Sequence, residues 1–119
     1  MHNMVLPTLT DTQLLVLTIL SERQAQRFSN PEDYVKMIRH VAIHQYGKNH
    51  TFCEFTTHYN ELISLGLIQE PRRYMPQGVI TQKGFLLLIK MQNTERCAFL
   101  EAQKKPGPYP LFDPLSDCT

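Results

Sequence analysis

The chain has 119 residues, 42% of them hydrophobic and 19% charged, with a net charge of +1. That length suits one domain with a single core that needs no disulfide or metal, and the composition excludes wholesale disorder. So small a net charge selects no class of partner, and the longest apolar run, Phe85 to Ile89, is far too short to span a bilayer.

A first helix is expected after Thr10, which can cap it, with Gln13 completing a capping box. Its body, LLVLTIL, is apolar almost all round, so it should be buried on more than one side. The polar stretch Ser21 to Phe28 has no periodicity and reads as a loop.

The second helix has a sharp start at Asn30-Pro31-Glu32-Asp33. Asn is a strong N-cap, Pro suits the first helical position, and the acids face the positive end of the dipole. Tyr34, Val35, Ile38, Val41, Ala42 and Tyr46 form one stripe, and Gly47 is a C-cap candidate, giving about 16 residues. A third helix starts at Thr51, again with a capping box through Glu54. Phe52, Phe55, Tyr59, Leu62 and Ile63 share one of its faces, and Gly66 stops it.

Beyond Gly66, the pairs Leu67-Ile68 and Val79-Ile80 read as two short strands around a turn marked by Pro71, Pro76 and Gly78. Thr81 caps a fourth helix reaching about Gln103, weakened slightly by Gly84. Residues 1–105 thus form the domain. Residues 106–119 form a tail whose Pro106, Pro108, Pro110 and Pro114 exclude a helix.

Charge is uneven. Residues 1–70 carry five Lys/Arg against seven Asp/Glu, whereas residues 71–105 carry seven against two. That second segment suits a polyanion. The three cysteines, Cys53, Cys97 and Cys118, share no metal-ligand spacing, and their odd count with no signal-like start favours free thiols in the cytoplasm. His40 and His44 have a chelating i, i+4 spacing, but no carboxylate completes a metal motif, so no metal or other cofactor is expected. Cys53, in the first turn of the third helix, is a minor redox candidate. No phosphate loop, nucleophile triad or paired carboxylates point to an enzyme.

The pattern Leu62-x-x-Leu65-Gly66-Leu67-Ile68, then a basic turn-rich segment, a β-branched pair and Thr81-x-Lys83-Gly84, resembles the MarR- and PadR-like regulators and their phage and plasmid relatives. The resemblance covers roughly residues 8–103. It implies an α+β winged helix-turn-helix: three helices, a two-stranded β-wing and a long C-terminal helix.

On that fold the third helix would read the major groove of double-stranded DNA through Thr56, Thr57, His58 and Asn60. Lys48, Arg72, Arg73 and Lys83 would hold phosphates or the minor groove. The resemblance also implies a homodimer, built on Phe85, Leu88, Ile89, Phe99 and Leu100 of the last helix. The expected function is transcription regulation. The third helix carries two Glu and no Lys or Arg, which favours an alternative: a winged-helix module that binds protein and not DNA. Tyr109, Leu111 and Phe112 in the Pro-rich tail would give such a partner a handle.

Overall fold

The computed structural model describes residues 8–24, 26–28, 30–70 and 79–90. Within them lie four helices: α1 (Asp11–Glu22), α2 (Pro31–Tyr46), α3 (Phe52–Ser64) and α4 (Gln82–Lys90). α1 lies at the centre, packed against each of the other three, and α2 and α3 pack on each other.

The start of each of the first three helices follows from its cap. The Thr10 hydroxyl accepts from Gln13 N (3.2 Å) while Gln13 Oε1 accepts from Thr10 N (3.0 Å), a reciprocal box that satisfies two otherwise orphaned donors. Asn30 Oδ1 accepts from Asp33 N (2.9 Å), and Thr51 Oγ1 accepts from Glu54 N (3.1 Å). α2 runs 16 residues and ends at Gly47, whose φ of 69° is the left-handed conformation glycine adopts without strain.

Residues 13–20 of α1 are all buried, as an all-round apolar helix requires. α3 contributes a narrower stripe: Phe55, Tyr59 and Leu62 are fully buried, while Phe52 and Ile63 pack at the edge of the core. Aromatic contacts tie the helices together. Phe28 meets Tyr34 edge-on at 5.0 Å between ring centroids, and Tyr34 stacks on Tyr59 at 6.4 Å. The Tyr46 phenol donates to the Glu22 carboxylate, joining the ends of α2 and α1.

The expected α+β winged fold is not found. The described residues form an all-helical globule with no β-strand. Where two strands were expected there is one isolated antiparallel bridge, Ile68 to Ile80. Gln69 N donates to Val79 O, and Thr81 N donates to Leu67 O (3.1 Å). The physical reason lies at the end of the bridge nearest the helices: Leu67 N still donates to Leu62 O in the turn that ends α3, and Thr81 already caps α4, so pairing has no room to extend in that direction. Leu67, Ile68, Val79 and Ile80 are also all buried. A half-buried ladder would alternate; continuous burial marks these apolar residues as core filler. The expected turn at 71–78, the last helix from 91 and the tail at 106–119 lie outside the described residues.

Tyr59 carries a costly group in the core. Its hydroxyl is buried without a hydrogen-bond partner among the described residues, and desolvation, with smaller contributions from Tyr34 and Glu70, pushes the phenol above its ordinary range. A buried unsatisfied hydroxyl costs about 1–3 kcal/mol. Tyr59→Phe keeps the ring and removes that cost, so it should raise stability by about 1 kcal/mol, read as a higher urea midpoint at unchanged slope.

Candidate nucleic-acid interface

With α1 and α2 against its apolar stripe, α3 leaves the opposite face open. Cys53, Glu54, Thr57, Asn60, Glu61 and Ser64 are exposed there. A cleft of about 620 Å³ opens between this face and the start of α1. Thr8, Gln13, Thr57, Asn60, Glu61, Ser64 and Leu65 line it, and none of them is a cation.

Both carboxylates of the face are engaged. Glu54 Oε2 lies 2.9 Å from His50 Nδ1, and Glu61 Oε1 lies 2.9 Å from His58 Nδ1. The His50 hydrogen bond, joined by the Thr51 hydroxyl, holds the Glu54 carboxyl below its ordinary range despite a small opposing desolvation. His50 is itself placed by α2, since Arg39 Nε donates to its backbone carbonyl (3.2 Å).

The hydroxyls expected to read bases are partly committed. Thr56 Oγ1 donates to Phe52 O (2.9 Å) and Thr57 Oγ1 to Cys53 O (3.0 Å), the i−4 back-bonding that Thr adopts within helices. Each keeps lone pairs but has spent its proton, and Thr56 is only half-exposed. Asn60 is exposed, and its amide has no partner among the described residues.

The expected cations bracket α3. Lys48 stands just before it, with its backbone N donating to Ala42 O (2.8 Å) at the end of α2. Lys83 sits at the other end, where its ammonium donates to Leu65 O (3.0 Å) and satisfies a terminal carbonyl of α3. Arg72 and Arg73 lie outside the described residues.

The expected dimer residues divide. Leu88 is 7% exposed and belongs to the core, whereas Phe85 and Ile89 are 40% and 62% exposed. Leu86, which the sequence reading passed over, joins them at 40%. Its position one residue beyond Phe85 and three before Ile89 was the available signal. Phe99 and Leu100 lie outside the described residues.

The rings of His40 and His44 meet at a tilt of 49° with centroids 4.5 Å apart, and among the described residues no cluster of three possible metal ligands forms. Cys53 is an exposed free thiol. No helix among the described residues is long and apolar enough to cross a membrane. Comparison with family models, characterised proteins and solved structures finds no match to this chain.

Proposed function

We propose that this protein binds double-stranded DNA through the open face of α3 and acts as a small transcriptional regulator. One observation carries the reading: a single helix, seated on the core by one face, presents on the other an exposed Asn60 amide with no partner among the described residues and polar neighbours Thr57 and Ser64, with each nearby carboxylate held by a histidine. An exposed Asn can pair with both the acceptor and the donor edge of adenine in the major groove, and hydroxyl lone pairs accept from base amines. Phosphate contacts supply most of the affinity. Lys48 and Lys83 at the two ends of α3, with the Arg72–Arg73 pair nearby in the chain, are the cations assigned to them.

The test is fluorescence anisotropy with random-sequence duplex DNA. Four phosphate contacts predict roughly a hundredfold loss of affinity between about 50 and 200 mM salt. Arg72→Ala should reduce the slope of log affinity on log salt by about one. Asn60→Ala should relax discrimination at one base position by about 1–3 kcal/mol and leave the slope alone. Absence of binding at low salt would overturn the reading.

A second reading rests on α4, where Phe85, Leu86 and Ile89 expose a contiguous apolar strip. A strip of this kind marks an interface with protein, either a second copy of the chain or a different partner. The salt series separates the two readings, because contact with such a strip persists at salt concentrations that dissolve phosphate contacts.

A further inference from the structure

One side chain of the cleft between α1 and α3 is only half used. Gln13 is 9% exposed, and its Oε1 accepts from Thr10 N in the capping box of α1. That role needs an acceptor alone, and glutamate fills it equally well in such boxes. The Nε2 end keeps two donors with no partner among the described residues, on a side chain that lines the cleft. A buried donor without an acceptor costs stability, so the cleft suits a molecule that brings one. We propose that the cleft binds a small uncharged molecule of the aminopurine kind, carrying an amine beside a hydrogen-bond acceptor, with Gln13 Nε2 donating to that acceptor. This goes beyond DNA binding and does not rest on it.

The α3 wall of the cleft defines the other half of the ligand. Thr57, Asn60, Glu61 and Ser64 stand at i, i+3, i+4 and i+7, so one helix face brings them together. All four are exposed. Their free capacity is mostly to accept. The Thr57 proton is spent on Cys53 O, which leaves lone pairs. Glu61 Oε1 is held by His58 Nδ1, and Oε2 has no partner among the described residues. Asn60 offers a donor and an acceptor, the pair that an amide uses on the amine and ring nitrogen of adenine. A carboxylate likewise accepts from the exocyclic amine of a base. A molecule seated here therefore donates toward α3 and accepts from α1.

Charge and size narrow the class further. Glu61 is the one ionisable group in the lining, and no cation accompanies it, so a phosphate or carboxylate on the ligand would meet repulsion and no counter-charge. The volume of about 620 Å³ falls within the range of small-molecule sites, about 300–1,000 Å³. A nucleoside fits that space, whereas a nucleotide adds charge with nothing to meet it. Thr57, Asn60 and Ser64 also belong to the face assigned to DNA, so a filled cleft and a bound duplex would exclude each other.

Adenosine is the probe, titrated calorimetrically into the full 119-residue chain with no DNA present. Ordinary ligand efficiency predicts a Kd of about 0.1 mM. Inosine, which presents a carbonyl where adenosine has its amine, should bind at least about tenfold more weakly, and so should adenosine monophosphate. Gln13→Glu keeps the capping box and removes the Nε2 donors, so the thermal midpoint should hold while adenosine affinity falls at least about tenfold. Glu61→Gln, a change at an exposed position, should weaken adenosine and narrow its preference over inosine, because the new amide can donate to the inosine carbonyl. His44→Gln, on α2, should bind as the wild type does. No saturable binding of adenosine in the millimolar range would overturn the proposal. So would unchanged affinity in a folded Gln13→Glu variant, an unchanged adenosine-to-inosine ratio in Glu61→Gln, or tighter binding of the monophosphate. None of these outcomes bears on duplex binding, and failure of the duplex to bind would leave this proposal standing.

Discussion

Phe55→Ala should lower the stability of the protein by about 3–5 kcal/mol, a large share of the whole for a domain of this size. Phe55 is fully buried at the point where α3 first meets the core, and α1 and α2 both pack against that helix. Truncation removes the transfer energy of a ring and leaves a void that close-packed neighbours cannot fully fill. The measurement is a urea titration, in which the midpoint should drop by about 2 M for a slope near 2 kcal/mol/M. Phe55→Leu, which keeps most of the volume, should cost about 1.5 kcal/mol or less. The loss should also reach the open face, because the Phe55 ring meets the His50 ring edge-on at 5.5 Å. A Phe55→Ala variant with an unchanged midpoint would mean that α3 is not seated as described.

Gly84→Ala should destabilise by about 2 kcal/mol, although alanine is intrinsically the better helix former by about 1 kcal/mol. The reason is contact. A β-carbon at Gly84 would collide with the Leu67 carbonyl oxygen and lie 2.8 Å from Ile80 Cγ2 and 3.2 Å from the Leu67 carbonyl carbon. Leu67 cannot retreat cheaply: its carbonyl accepts from Thr81 N and its own N donates to Leu62 O. The methyl group therefore pushes α4 off the end of α3 or breaks the bridge. Thermal unfolding followed by circular dichroism reads the effect, with Gln82→Ala on the exposed side of α4 as the control that should change little. Stabilisation by Gly84→Ala would show that α4 does not approach this closely.

These two sites also show what the sequence makes legible. Local rules worked where the determinants are local. Thr10 with Gln13, Asn30 with Pro31, Thr51 with Glu54, and Gly47 each fixed a helix end within a residue, because capping involves groups only three or four positions apart. The strands failed because β-branched residues signal burial on any element, and only tertiary context separates a ladder from a bridge. Gly84 read as a weakness of α4, yet it is the residue that permits the close approach to Leu67. That approach joins positions far apart in the chain and leaves no periodic trace.

The candidate site was half visible. Asn60 and the acidic residues of α3 stood on the predicted face, and both histidine–glutamate spacings could be counted from the chain. What spacing does not reveal is occupancy. Thr56 and Thr57 direct their protons to carbonyls of their own helix, and Lys83 spends a donor on Leu65. Leu88 and Ile89 are neighbours in an apolar run, and only packing decides that one lines the core and the other meets solvent.

The join between α3 and α4 has a kinetic consequence. Thr81 Oγ1 donates to Gly66 O, Thr81 N to Leu67 O, and Lys83 Nζ to Leu65 O, so the three residues that follow α3 are clasped by the cap and first turn of α4. Neither end can fray without releasing the other. The two should therefore open as one cooperative unit, with their amide protons exchanging at a common rate set by a single opening equilibrium.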